Sequence, residues 1–388
     1  MAKRRYIILG ATVAGSLLLP ALVAFGLLRL EVPRQHWFAH DVQSPRTALM
    51  YPLGALLLLI ITLLLSLKPR WKQVSGRALA IFCVCCLVIV VGTRASSRFG
   101  FVTLATTILC DGSNSYYTTA CETPDVLELA RDYPRRMPAL RLHAATQSPG
   151  AVLLHSGLRQ LFLHCPGAVS FGELLLVINP GIRGFEAAAI ENPQWRTRYT
   201  GQDVSVALLI ALTFALVLSL GVLPTYALAR HLAGRRAALV AAALYAVTPA
   251  FIWFSASIDQ LYPTLAALIA LLAYRGTRRE TRWLPVLAAG VLGGLGVFLN
   301  FGFVVALLAV ALFVAGLTLA RRGQRQPQLL AWRLGLLGGG ALLGLLVVQL
   351  GLGIDLIGIT KMCGELRTRL YMHDLPRPLL TWILLNPV

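Results

Sequence analysis

Apolar runs of about 20 residues recur along this chain, and short segments rich in arginine or lysine punctuate them. A helix of that length crosses a hydrocarbon core of about 30 Å. Within lipid a backbone must satisfy its own hydrogen bonds, and long unbroken runs do so as helices, not as barrel strands. Composition agrees, with 57% hydrophobic and 13% charged residues, whereas soluble domains carry about 25% charged residues. The expected class is all-α, a polytopic transmembrane helical bundle of about 9–11 helices.

The basic residues give the bundle a direction. Five segments carry eighteen of the 35: Lys3–Arg5, Lys68–Arg77, Arg230–Arg236, Arg275–Arg282 and Arg321–Arg333. They hold one acid, Glu280, and cytoplasmic flanks of membrane helices are enriched in this way. Their dispersal excludes a nucleic-acid face, which would gather the +19 net charge on one surface. The run Tyr6–Leu28 is too long for a signal-peptide core and lacks a clear cleavage site, so it reads as a retained first helix. The chain is expected in a plasma membrane, the inner membrane of a bacterium, with its N-terminus cytoplasmic and membrane lipids as partners.

Three regions follow. Residues 1–93 form three N-terminal transmembrane helices, 94–150 an extracytoplasmic loop with short interfacial helices, and 151–388 a further helical bundle. The last run, Leu379–Leu385, begins a crossing that the sequence does not finish, so a continuation is expected. Between 151 and 180 the chain reads either as a tight pair of crossings or as re-entrant helices. Phe99–Leu109 is apolar but too short to span, which suits an interfacial or re-entrant segment. Thr123 reads as a helix N-cap with Pro124 following it. Glycines in 290–296 and 338–344 lie inside spans and indicate close helix packing. No cysteine pair has metal-ligand spacing, while Cys110 and Cys121 could bridge on an oxidising side.

Residues 94–150 carry five of the sixteen carboxylates, Asp111, Glu122, Asp125, Glu128 and Asp132. On a face without nucleotides, group donors are commonly lipid-linked. A transferase there needs a carboxylate as general base on an acceptor hydroxyl and cations for a lipid phosphate. Asp111 is the candidate base, its other reading being a turn cap beside Gly112. Arg141 and His143 are candidate phosphate contacts, and Tyr116, Tyr117 and Gln147 candidate substrate contacts. Asp259, at the apolar edge of a turn, must face water or a partner and is the second candidate catalytic carboxylate.

These residues resemble a family. The segment Asp111–Tyr117, the junction Leu142–Gly150 leading into a helix, and Phe254–Tyr262 at a helix end are similar to the GT-C superfamily. Its members are integral membrane glycosyltransferases that use polyprenyl-phosphate sugars, among them the dolichyl-phosphate-mannose mannosyltransferases. The resemblance is to a diverged member, since three helices precede the acidic segment and no paired acidic motif stands in the loop. It implies a lipid-linked sugar donor, an acceptor hydroxyl on the extracytoplasmic face, direct displacement with inversion, and room for a divalent metal. Two other readings stand beside it. A transporter would place polar residues mid-span and repeat its halves, and a non-catalytic GT-C-like membrane protein would share the architecture alone.

Overall fold

A computed structural model describes residues 31–32, 35–36, 50–68, 75–96, 100–178, 198–253, 256–278, 283–320 and 326–369. The expected first helix Tyr6–Leu28 and the final run Leu379–Leu385 lie outside the described residues. The protein is helical, as its apolar runs require. The β pairing among the described residues is a two-residue antiparallel match of Glu31–Val32 with Gln35–His36.

Two apolar helices, α1 (Met50–Leu67) and α2 (Ser75–Ala95), pack side by side. Their apolar residues Leu53, Leu57, Leu64 and Val84 remain exposed. Lipid is the solvent that makes such a surface tolerable. Helices α1 and α2, the 52-residue stretch Gly201–Ile252 and Pro327–Leu352 are long and apolar enough to cross a membrane.

A 52-residue helical stretch holds more than twice the residues that one crossing needs. It contains α10 (Gly201–Leu220) and α11 (Val222–Ala246), and it reverses at Gly234, where φ is +83°. Glycine adopts that left-handed region without a Cβ penalty. The reversal falls inside the predicted Arg230–Arg236 corner. Past it, the Tyr245 hydroxyl donates to the Leu218 carbonyl at 3.1 Å, so the returning arm lies beside the outgoing one. The short helix α12 (Pro249–Trp253) ends that arm.

The second half of the bundle is α13 (Leu261–Thr277), α14 (Leu284–Leu299), α15 (Phe303–Leu319) and α16 (Gln326–Leu352). A Cβ at Gly290 or Gly294 would overlap the carbonyl oxygen of Leu337 or Ala341. The glycine stripes therefore let α14 and α16 touch backbone to backbone, as expected from their place inside spans. At the basic end, buried Arg333 donates to the Thr277 carbonyl at 2.8 Å and to the Thr318 hydroxyl at 3.1 Å. A cation there complements the negative C-terminus of α13.

At the other end sit the short helices: α3 (Val102–Leu109), α4 (Asp111–Glu122), α5 (Val126–Arg131), α6 (Tyr133–Arg136) and α7 (Leu142–Thr146). They do not trail over the surface. Leu104, Ala105, Ile108 and Leu109 of α3 are fully buried, packed with the first turns of α10. Helix α5 is capped by Asp125, whose side chain accepts from the Glu128 amide at 2.9 Å. That corrects the expected Thr123 cap: Thr123 instead closes α4 in an extended conformation. No disulfide joins Cys110 to Cys121 among the described residues. They flank α4, which is kinked at Asn114.

Helices α8 (Gly150–Leu163) and α9 (Pro166–Ile178) meet at a bend of 96°. Of the two forms expected for 151–180, each arm is too short to cross alone, and together they make one broken span or a re-entrant pair. The last described helix, α17 (Leu356–Arg369), returns from α16 over α6 and α7.

The ends of these elements meet in one place. The Tyr117 hydroxyl donates to the Asp203 carbonyl at the start of α10, at 2.9 Å. Gly150 abuts the Phe298 carbonyl at the end of α14. Arg131 donates to the Leu352 carbonyl at the end of α16, at 3.1 Å.

Candidate active site

Two polar groupings occupy that end, and α4 contributes to both. The first is an ion cluster. Asp111 Oδ2 accepts from Arg141 Nη1 and from Arg198 Nη1, both at 2.7 Å. Its Oδ1 accepts from the Thr118 hydroxyl at 2.6 Å. Glu122, at the far end of α4, takes Arg141 Nη2 at 2.9 Å and stands 3.2 Å from Arg198 Nε. The Tyr199 hydroxyl lies 2.6 Å from the Thr118 oxygen and 3.1 Å from the Leu109 carbonyl. Its single proton can serve one of the two. The cluster ties the beginning of α4 to residues 141 and 198 from distant parts of the sequence. Both oxygens of Asp111 are thereby engaged by donors.

The second grouping centres on Asp259. A short 3₁₀ turn, Ile258–Gln260, carries it between α12 and α13. The turn is held by Gln260, whose buried side chain donates to the Phe251 carbonyl at 2.7 Å and accepts from the Ala256 amide at 3.2 Å. Ala256 has φ +73°, a conformation that costs a residue other than glycine about 1 kcal/mol. The surrounding bonds hold it there. Such strain gathers at working sites.

Asp259 makes one long hydrogen bond, accepting from the Ser257 hydroxyl at 3.4 Å. It forms no ion pair among the described residues. Its side chain is open at the surface, yet neighbouring elements crowd it. Burial therefore pushes its carboxyl above the ordinary carboxylate value, while the Ser257 hydroxyl and the His143 charge draw it back. An oxygen with an open lone pair and raised basicity is what proton abstraction needs.

Around Asp259 stand residues from three other elements. His143 of α7 is near enough to act on it electrostatically. Tyr116 of α4 packs its ring 6.3 Å from that of His143 and 5.8 Å from that of His155. Burial pushes the Tyr116 phenol up, the Asp259 charge pushes it further, and Arg367 of α17 opposes both. Tyr262, the second residue of α13, also senses Asp259.

The residues put forward from sequence thus divide. Asp259, His143 and Tyr116 come together. Asp111 and Arg141 come together elsewhere, bound to one another. Tyr117 is fully buried, with its hydroxyl spent on α10. Gln147 lies at the entry to α8 with its carbonyl oxygen unpartnered among the described residues. No group of three or more His, Cys, Asp or Glu side chains with metal-holding geometry occurs among the described residues.

Arg367 was missed. Its signal was the apolar stripe Leu356, Ile359, Cys363, Leu366 at helical spacing, which announces a helix. Ile359 and Cys363 are the buried members of that stripe, and Arg367 follows Cys363 by one turn.

Residues 202–348 match the family model described as dolichyl-phosphate-mannose-protein mannosyltransferase. The GT-C resemblance stands. The match supports a membrane glycosyltransferase of the mannosyltransferase type. It covers well under half of the 388 residues, from the start of α10 almost to the end of α16. Asp259 lies within it, whereas Asp111, Tyr116, Arg141, His143 and Arg367 lie outside. No curated protein and no solved structure matches the chain.

Proposed function

We propose that the protein transfers a sugar from a polyprenyl-phosphate donor to an acceptor hydroxyl, with Asp259 as general base. The observation that carries this is the open Asp259 carboxylate, set among His143, Tyr116 and Tyr262 inside the region that matches a glycosyltransferase family. Asp259 takes the acceptor proton, and the acceptor oxygen bonds to the anomeric carbon from the face opposite the phosphate. The carbon–oxygen bond to phosphate breaks, and polyprenyl phosphate leaves with the electron pair. One displacement inverts the anomeric centre. Tyr116 and Tyr262 present ring faces and hydroxyls suited to a sugar. The family description names mannose as the sugar and protein as the acceptor, and mannose is the first donor sugar to try.

In this reading Asp111 positions rather than catalyses: with Arg141, Arg198 and Glu122 it fixes the orientation of α4 and hence of Tyr116. Residues 1–93, 94–150 and 151–388 remain the working division, with the middle region as a cap on the bundle end that holds Asp259. The basic segments between the apolar runs of the sequence support an extracytoplasmic site in a plasma membrane.

The test is turnover. Membranes containing the protein and polyprenyl-phosphate mannose should release polyprenyl phosphate and form an inverted glycoside. Failure with every polyprenyl-phosphate sugar, in protein shown to be folded, would overturn the reading. Accessibility tags at Ser113 and Arg278 should report opposite faces of the membrane, and a shared face would overturn the topology. Counterflow of a soluble substrate by reconstituted protein would favour the transporter.

A further inference from the structure

We propose that Arg367 is the anion-holding residue of the Asp259 site, and that its guanidinium receives the phosphate oxygens of the lipid-linked donor. The inference rests on the glycosyltransferase reading and adds to it the residue that grips the leaving group.

Arg141, the cation that sequence put forward, has three of its five N–H donors already committed to carboxylates. Its Nη1 is given to Asp111, and its Nη2 and Nε are given to Glu122. Arg198 is tied to the same two carboxylates. A guanidinium paired in this way offers a phosphate little charge and few donors.

Arg367 is the opposite case. Its Nε donates to the Thr146 carbonyl at 3.1 Å. The Cys363 thiol, one helical turn earlier, donates to that same carbonyl at 2.7 Å. Both side chains thus dock α17 on the last residue of α7, and the arginine is fixed by its inner nitrogen. The two terminal nitrogens make no hydrogen bond or ion pair among the described residues. Four N–H donors of a planar fork remain open, a geometry that fits two oxygens of a phosphate.

Its surroundings are those of the site. Helix α7 carries Thr146 and, three residues earlier, His143, against which Tyr116 packs. The Tyr116 phenol senses Arg367 and Asp259 with opposite sign. A carboxylate and a held cation therefore both lie within electrostatic reach of one aromatic ring, which suits a site that takes an acceptor hydroxyl and a leaving phosphate.

The experiment measures binding of the purified protein, in phosphatidylcholine nanodiscs, to polyprenyl phosphate, to polyprenol and to phosphatidylglycerol. Wild type should bind polyprenyl phosphate well above polyprenol. Arg367→Ala should weaken polyprenyl phosphate about 10- to 100-fold, the usual scale for hydrogen bonds to a charged group, and leave polyprenol unchanged. Arg367→Lys keeps the charge without the fork and should lose about tenfold.

Melting temperatures of the two Arg367 variants, and polyprenol binding by each, guard against a loss that is only misfolding. If Arg367→Ala or a folded Arg367→Lys bound polyprenyl phosphate within threefold of wild type, Arg367 would not be the phosphate residue, and the glycosyltransferase reading would survive. An equal loss for phosphatidylglycerol would assign the guanidinium to a bilayer headgroup and overturn the proposal. Wild type that failed to distinguish polyprenyl phosphate from polyprenol would overturn the proposal and the functional reading together.

Discussion

Two carboxylates at one end of this bundle carry the same side chain and opposite circumstances. Asp111 receives three donors, two of them guanidinium groups at 2.7 Å. Asp259 receives one hydroxyl at 3.4 Å. An ion pair of that geometry holds a fold in place because its lone pairs are spent. A carboxylate that is crowded yet unpaired is costly to keep, and it is retained where its reactivity is used. The contrast separates what positions from what reacts, although both acids stand in segments that resemble one family.

The largest test of the contrast is Asp259→Asn. Loss of a general base typically removes about 10²–10⁴ in rate, so transfer should fall about a thousandfold. Binding of the lipid donor and the melting temperature should hardly move, because Asp259 makes no strong bond within the protein. A variant that kept one tenth of wild-type turnover would remove Asp259 from the chemistry.

Asp111→Asn should behave the other way round. Removing the central charge leaves Arg141 and Arg198, with side chains 34% and 16% exposed, to share Glu122 alone. That cost lies between the values for exposed and buried pairs, about 1–3 kcal/mol. The melting temperature should drop by several degrees, while the rate per folded molecule stays within about tenfold. A thousandfold loss in rate with an unchanged melting temperature would reverse the two assignments.

Much of this architecture could be read in advance, and the reasons are local. The Arg230–Arg236 corner is legible because charge cannot stay in lipid, and Gly234 supplies the turn there. The glycines of α14 and α16 are legible because small residues inside spans have few other uses. The site is legible only in part. Pairings such as Asp111 with Arg198 and Arg367 with Thr146 join residues 87 and 221 positions apart. No periodicity encodes such distances. Sequence could nominate both carboxylates, but only packing shows that one is occupied and the other open. Helix α17 is hard to read because its 14 residues are too few to span, and an apolar stripe does not say which element it docks on.

pH gives a smaller effect that sharpens the same comparison. With its carboxyl raised by burial, Asp259 should produce an acid limb in kcat/KM displaced above the usual aspartate value of about 3.9. For stability the sign is that of any group whose pKa is raised on folding. The contribution of Asp259 is fully present below its unfolded value and lost as pH rises through the folded one. Asp259→Asn should therefore melt at or slightly above wild type at neutral pH, and lose that advantage below about pH 4. Thermal melts across pH 3–8 check the sign. An advantage that grew on acidification would contradict the crowding of this carboxylate.

The smallest effect concerns Glu122, which touches the same two arginines as Asp111. Its side chain is 44% exposed, against 27% for Asp111, so water already screens most of what it offers. Exposed pairs contribute about 0–1 kcal/mol. Glu122→Gln should accordingly shift the melting temperature by no more than about two degrees and leave transfer unchanged, since Asp111 alone still engages both guanidiniums. Combining it with Asp111→Asn measures how far the two acids depend on each other, because residues in one network depart from additivity. If Glu122→Gln cost as much as Asp111→Asn, the cluster would be a shared four-charge network with no single centre. The orientation of α4 would then depend on both of its ends, and Tyr116, which lies between them, should shift in either variant.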